Sequence, residues 1–232
     1  MSLRLLAFAI AAFAACAPAA AANRSFTVTG FDRVRVDGPY RVRLTTGVAP
    51  FAKATGPSTA LDGVSIEVQG RTLIVRKTAS SWGGYPGQSA GPVEIMLGTH
   101  ELSTVWVNGA GNLSIDKAKG LSFDLSVQGP GSVSIEQLSV DQLRAGLSGS
   151  GSAMLGGKAS MVKAIVRGTS SLDGSGLTSK DATIGSEGTT MVKLIVTGTA
   201  KVEAQGAAVV ELAGRPACTT KANGSAVVSG CR

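Results

Sequence analysis

Apolar and polar residues alternate in short runs along most of this chain, and the alternation keeps a fixed phase relative to regularly spaced glycines. Two and four residues before each glycine, and four and six residues after it, most positions are apolar, whereas the positions between them are largely polar. A spacing of two is typical of half-buried β-strands. Because the apolar residues on both sides of each glycine lie at even distances from it along the chain, we predict that one apolar face continues across the glycine. The apolar pairs are Val105/Val107, Leu125/Val127, Ala145/Leu147, Ala164/Val166 and Val202/Ala204 before the glycines, and Leu113/Ile115, Val133/Ile135, Ala153/Leu155, Val192/Leu194 and Val210/Leu212 after them.

These glycines recur about every twenty residues from residue 105 onward. A fixed period of this length predicts a β-solenoid in which each repeat forms one coil. The residue two positions after each glycine is always small, which indicates a tight corner where glycine adopts φ > 0 and stacked backbones approach closely. Seven coils rising about 4.8 Å each would form a rod about 34 Å long. The corner glycines are Gly109, Gly129, Gly149, Gly168, Gly188, Gly206 and Gly224.

Other folds fit the pattern less well. No stretch after the N-terminal segment places apolar residues three and four apart over ten or more residues, and the chain has 31 glycines. Each glycine costs about 1 kcal/mol relative to alanine in a helix interior. A β-sandwich of hairpins is the competing fold, but it does not require the glycines to stay in phase. The wide separation of equivalent positions favours a parallel stack.

Residues 24–78 show the same alternation with less regular spacing, on both sides of a turn at residues 37–39. This segment is either the first coils or an irregular β cap, since an open solenoid end exposes apolar side chains and unpaired strand groups. We therefore predict one domain over residues 23–232. It consists of the N-terminal strands, a loop rich in Gly, Ser and Pro at 79–92, and the repeat coils at 93–232.

Residues 1–22 have the features of a secretory signal peptide. One early cation, Arg4, is followed by an apolar stretch and small residues, with a cleavage site before Asn23. The apolar stretch is too short for a membrane-spanning helix. Cys16 leaves an alternative open, in which this cysteine is lipidated and tethers the protein to a membrane. Either route predicts export to the periplasm, the outer-membrane surface or the extracellular space.

The cysteines Cys218 and Cys231 flank the last repeat. In an exported protein an even number of cysteines favours a disulfide, and closing a loop this short contributes about 3 kcal/mol. Two free thiols are the less favoured alternative. A zinc site is not indicated, because His100 is the only histidine in the chain.

Candidate contact residues occur in two places. The chain has a net charge of +7, and Arg33, Arg35, Arg41 and Arg43 alternate with apolar residues in two successive strands. They could form a basic face suited to anionic envelope polymers or acidic glycans. A solvated face that opposes edge-to-edge aggregation is the simpler explanation. Nucleic acid fits poorly with export and with few aromatic residues.

The second place is the loop at 79–92, which contains Trp82 and Tyr85. Aromatic side chains in such a loop stack on sugars or anchor a partner, or they pack back onto the rod and hold the loop in place.

Residues for catalysis are sparse. His100 lies in a turn with no nucleophile near it in sequence. Asp116, Glu136 and Asp173 occupy similar places in their coils, so they define a possible acidic column of the kind used by glycoside-cleaving β-helices. Outward-facing polar residues on strands are the simpler explanation. The glycine motifs lack the following helix of a phosphate-binding loop, and we expect no cofactor.

Several segments resemble a known family. They are FTVTGFDRVRVDGPYRVRLTTG, DGVSIEVQGRTLIVRK, WVNGAGNLSI, VQGPGSVSI and LSGSGSAML. Together these resemble the auto-transporter adhesin head GIN domain family, over about residues 24–232. The resemblance implies an exported, right-handed, single-chain parallel β-helix, and it carries no catalytic residues. The later repeats depart from the Gly-x-Gly form at Gly168 and Gly188.

The function predicted from the sequence is therefore adhesin-like, non-enzymatic binding to a glycan, an envelope polymer or a surface protein. A carbohydrate-active enzyme and a purely structural periplasmic protein are the alternatives.

Overall fold

The computed structural model describes residues 22–78 and 91–232. These residues form an all-β solenoid of about six turns, as the glycine spacing predicted, with one short helix. The solenoid thus has about six turns, where the sequence led us to expect seven coils. The strands are β1 (Ala22–Phe26), β2 (Arg33–Asp37), β3 (Arg41–Thr46), β4 (Phe51–Gly56), β5 (Val64–Gln69), β6 (Thr72–Lys77), β7 (Glu94–Thr99), β8 (Thr104–Asn108), β9 (Asn112–Gln128), β10 (Ser132–Gly149), β11 (Ser152–Gly168), β12 (Ser171–Gly188), β13 (Met191–Val196), β14 (Thr199–Gly206), β15 (Val209–Ala213), β16 (Ala217–Gly224) and β17 (Val227–Ser229), and the helix is α1 (Ser58–Asp62).

The coils have three sides, which we name by their position relative to the corner glycines. Side A contains the strand segments that precede the glycines, in the spatial order β6, β2, β8, the last parts of β9 to β12, β14 and β16. Side B contains the segments that follow the glycines, in the order β7, β3, the first parts of β9 to β12, β13, β15 and β17. Side C is short and contains the middle parts of β9 to β12. All these neighbours are parallel, so each side is a ladder of equivalent positions.

The corner glycines adopt the predicted backbone conformation. All seven have positive φ, between +78° and +100°. A Cβ on Gly188 would lie 2.5 Å from the carbonyl oxygen of Gly168, its counterpart in the preceding coil. The small residue two positions later faces the interior. Where it is serine or threonine its hydroxyl has a partner, since Ser170 donates to the Arg167 carbonyl at 2.9 Å and Thr190 bonds to Ser186.

The N-terminal segment is partly coil and partly cap. Strands β2 and β3 flank Gly38, and β2 pairs in register with β8, so Gly38 starts the column of corner glycines. Strands β1 and β4 extend side B with antiparallel pairing, and β5 pairs antiparallel with β6 at the edge of side A. The helix α1 buries Ala60 and Leu61 beside them. Strands β2 and β3 therefore belong to the first coils, whereas β1, β4 and β5 form the irregular β cap.

The core consists of the apolar positions identified from the alternation. Each of the twenty residues in the apolar pairs is buried. Side C adds a layer that the sequence pattern did not reveal, including Leu138, Val140 and Leu177. At the last coil, Cys218 and Cys231 form the predicted disulfide, with their Cα atoms 5.7 Å apart. This bond joins β16 to the residues after β17, where the stack has a neighbour on only one side.

Candidate binding surface

The four arginines singled out from the sequence lie on two different sides of the solenoid. Arg33 and Arg35 are on β2 in side A, whereas Arg41 and Arg43 are on β3 in side B. The corner at Gly38 turns the chain between these strands. The single basic face expected from the sequence is therefore divided in two.

Ion pairs further reduce the free positive charge. Arg35 Nε lies 2.9 Å from Asp37 Oδ2, and Arg43 contacts Glu94 at 3.4 Å. Arg33 and Arg41 have no carboxylate partner within residues 22–78 and 91–232. Because exposed pairs of this kind contribute little to stability, their main effect is on the charge that each side presents.

The remaining sequence candidates do not converge on one site. Trp82 and Tyr85 lie outside the described residues. His100 is exposed between β7 and β8, where its carbonyl oxygen accepts a hydrogen bond from the Gly47 N–H at 3.1 Å. The structure thus assigns His100 a backbone contact at a turn.

The acidic column is shorter than the sequence suggested. Asp116 and Glu136 lie at equivalent positions of adjacent coils, between paired residues of β9 and β10. Asp173 instead pairs with Met154, in the neighbouring column. Asp116 Oδ1 accepts hydrogen bonds from the N–H groups of Thr46 at 3.0 Å and Lys117 at 2.6 Å. Its carboxylate therefore joins the end of β3 to the bend between sides B and C.

A groove on the outer surface of side A surrounds a residue that the sequence analysis missed. Trp106 on β8 is half-buried and lines a groove of about 590 Å³ together with residues of β2, β5, β6 and β9. Asp37 Oδ1 accepts a hydrogen bond from Asn108 Nδ2 at 2.6 Å, beside the Arg35 pair. Trp106 lies three residues before Gly109, and the alternation predicts an outward side chain at such an odd offset. The sequence was therefore sufficient to predict that Trp106 faces outward.

A second groove, of about 310 Å³, lies farther along side A around Ile165, which is 40% exposed. Lys163, Arg167 and Glu187 line it, and Arg167 contacts Glu187 at 3.3 Å. Both grooves lie over the same column of outward positions, since Trp106 and Ile165 each precede a corner glycine by three residues.

Shifted pKa values on the surface arise mainly from local hydrogen bonds. The hydroxyl and N–H of Thr199 lower the pKa of Asp181, and hydrogen bonds from Ser175 lower the pKa of Asp173. The hydrogen bond and charge of Glu211 raise the pKa of Lys193. The Asp181–Thr199 and Lys193–Glu211 contacts join neighbouring strands, whereas Asp173 and Ser175 lie on the same strand, β12. Among the described residues, no group of three or more His, Cys, Asp and Glu side chains is arranged to hold a metal ion.

No helix within the described ranges has the length and apolar character needed to cross a membrane.

Solved structures with the same fold were found by comparison. A "putative adhesin" from Bacteroides fragilis matches with a TM-score of 0.76 and 16% identity, covering 90% of this chain and 94% of that chain. A "Putative lipid binding protein" from Parabacteroides distasonis matches with a TM-score of 0.73 and 17% identity, covering 91% of this chain and 97% of the other. A "putative adhesin" from Parabacteroides merdae gives 0.66 and 16%, with 91% and 96% covered. These likenesses show the fold.

A comparison with curated proteins found no significant match. The family model described as "Putative auto-transporter adhesin, head GIN domain" matches residues 30–216, in agreement with the resemblance noted from the sequence motifs. Because this match spans most of the chain, the protein belongs to that adhesin head GIN domain family.

Proposed function

We propose that this protein is an exported, non-enzymatic binding protein that presents the outer surface of its solenoid to a glycan, an envelope polymer or a surface protein. The proposal rests on one observation: side A is a ladder of parallel strands paired in register, and two grooves lie in line over one of its outward columns. Equivalent residues of successive strands repeat at about 4.8 Å, so such a ladder suits a ligand that also repeats.

Export is supported by features at both ends of the chain. Residues 1–22 have the composition of a secretory signal peptide, and Cys218 and Cys231 form a disulfide, a bond that persists in oxidising compartments. We place the protein in the periplasm, on the outer-membrane surface or outside the cell. The adhesin and lipid-binding names of the structural neighbours agree with contact at a cell surface.

Protease treatment of intact cells, with lysed cells as the control, tests the location. Digestion on intact cells would place the solenoid outside and support an adhesin-like role. Protection until lysis would place it in the periplasm and contradict adhesion to other cells, leaving binding to envelope polymers as the role.

A binding assay tests the function itself. We expect the purified protein to bind one class of soluble polysaccharide, envelope polymer or cell-surface protein saturably, with no new reducing ends or unsaturated sugars during incubation. Progressive cleavage of a polysaccharide would contradict the non-enzymatic assignment. Absence of binding to every class would contradict the binding function and favour a purely structural role.

A further inference from the structure

We propose that the two grooves of side A are the ends of one elongated site for a linear, uncharged glycan, with Trp106 as the platform on which a sugar ring stacks. This inference rests on the binding function proposed above and names its site and ligand class.

The floor of the site is one column of outward positions. Trp106 pairs in register with Ser126, Ser126 with Gly146, and Gly146 with Ile165. Ile165 in turn pairs with Gly185. Three strand spacings of about 4.8 Å separate Trp106 from Ile165, so these two apolar contacts lie about 14 Å apart. The floor residues between them have either a single hydroxyl or no side chain. They therefore leave an open trough between the two larger residues.

The trough is bordered by longer polar side chains on both sides. The residues two positions before and after the floor in each strand also point outward, because side chains alternate along a strand. On one border these include Asp124, Arg144 and Lys163, and on the other Gln128 and Arg167. The borders therefore provide hydrogen-bond donors and acceptors along the whole length of the floor.

The charges along the trough largely neutralise one another. Arg144 contacts Asp124 at 3.6 Å, Arg167 contacts Glu187 at 3.3 Å, and Arg35 contacts Asp37 at 2.9 Å. The Arg144–Asp124 and Arg167–Glu187 pairs lie on the two borders, and Arg35 lies in the floor column beyond Trp106. All three pairs are partly exposed, so their other donor and acceptor atoms face solvent. A nearly neutral trough with many hydrogen-bonding groups complements a hydroxyl-rich, uncharged ligand better than a polyanion.

The shape and the floor favour a glycan. A pyranose ring has an apolar face and a polar edge, so it stacks on an indole while its hydroxyls reach neighbouring polar groups. Trp106 is half-buried, which holds the ring in place and leaves part of its surface for contact. A distance of about 14 Å between Trp106 and Ile165 fits a chain of a few sugar residues rather than a single sugar.

Titration calorimetry with cellohexaose, mannohexaose and xylohexaose, and with their disaccharides, tests the inference. We expect at least one hexasaccharide to bind, and Trp106→Ala to weaken it at least tenfold, while Trp106→Phe retains part of the affinity. Met161→Ala is the matched control. Met161 is a 50% exposed apolar residue on side A outside the floor column, and its removal should leave binding unchanged.

A second variant blocks the trough without touching Trp106. A Cβ on Gly146 would have no contact closer than 3.9 Å, and its φ is not positive, so Gly146→Gln should fold normally. Its side chain would stand between the two grooves. We expect it to weaken hexasaccharide binding strongly while leaving weaker disaccharide binding at Trp106 intact.

The outcomes separate this inference from the proposed function. If the wild-type protein binds none of the neutral oligosaccharides, or if Trp106→Ala binds them as tightly as wild type, the glycan site on side A is wrong. Salt-sensitive binding to polygalacturonate or lipopolysaccharide that neither variant alters would reject this site and retain the binding function. Absence of binding to any polymer or cell-surface fraction would reject both.

Discussion

Replacing one corner glycine by alanine directly tests the account of how the coils stack. Gly188 ends β12 with φ +100°, in a region that L side chains rarely adopt. Its added Cβ would lie 2.5 Å from the Gly168 carbonyl oxygen and 3.3 Å from the Gly168 Cα. The same carbonyl accepts the Thr189 N–H at 2.8 Å, so it cannot move away without weakening that hydrogen bond.

Two terms set the size of the effect. An alanine with a left-handed backbone costs about 1–2 kcal/mol. The contact with the preceding coil adds an overpacking term of about 1–3 kcal/mol, because backbone rather than a flexible side chain must move. We therefore expect Gly188→Ala to lower the free energy of unfolding by about 2–5 kcal/mol, and Tm by roughly 4–20 °C for a domain of this size.

Gly185→Ala provides a matched control in the same strand. Gly185 lacks a positive φ, and its Cβ would meet nothing closer than the Ala164 carbonyl oxygen at 4.0 Å. We expect this variant to be neutral or slightly stabilising, since alanine reduces the entropy of the unfolded chain. Urea unfolding followed by circular dichroism measures both variants. Equal stability of Gly188→Ala and Gly185→Ala would refute the assignment of the glycine column as the constraint on stacking.

Three further expectations concern side chains on the surface and at the end of the solenoid. Asp116→Ala should lower the free energy of unfolding by about 1–3 kcal/mol, because two backbone N–H groups lose their acceptor. Exposed Glu136→Ala should change it by no more than about 0.5 kcal/mol. Thermal unfolding compares the two variants, and equal effects would contradict the role of Asp116 in joining β3 to the bend. Thr199→Val should raise the pKa of Asp181 toward its ordinary value in a carboxyl NMR titration. An unchanged titration of Asp181 would exclude the Thr199 hydroxyl as the cause of the lowered pKa. The lowered pKa stabilises the folded state above the ordinary aspartate pKa, and this contribution is lost as pH falls through the folded-state pKa. Reduction of the disulfide should increase amide hydrogen exchange in β16 and β17 and leave β9 to β11 protected; uniform loss of protection would show that the bond supports the whole stack.

The alternation and the corner glycines were sufficient to predict the fold class and most of the core. A residue at an even offset from Gly129, such as Leu125 or Ile135 in the adjoining segments, is buried because side chains alternate on a strand and the glycine corner does not change the phase. Side C was not predicted. Its segments are only a few residues long, and glycines at Gly156 and Gly157 interrupt the apolar pattern that would mark it.

The candidate site was harder to predict than the core. Outward positions carry no periodic pattern that separates binding residues from ordinary surface residues. The odd offset of Trp106 from Gly109 therefore predicts exposure but not a role in binding. The arginines were assigned to one face because their strands are adjacent in sequence. In a solenoid, however, strands separated by a corner lie on different sides, and the neighbours of β2 are β6 and β8 instead of β3.

The sequence by itself determined the period, the inward residues, the need for glycine at each corner and the pairing of the two C-terminal cysteines. These features depend on local geometry: side-chain alternation, the steric cost of a Cβ at positive φ, and short separation along the chain. Only the tertiary structure decided which outward side chains share a column. Residues such as Trp106 and Ile165 come into line because parallel coils stack in register, and that register follows from packing across the whole core rather than from any one repeat.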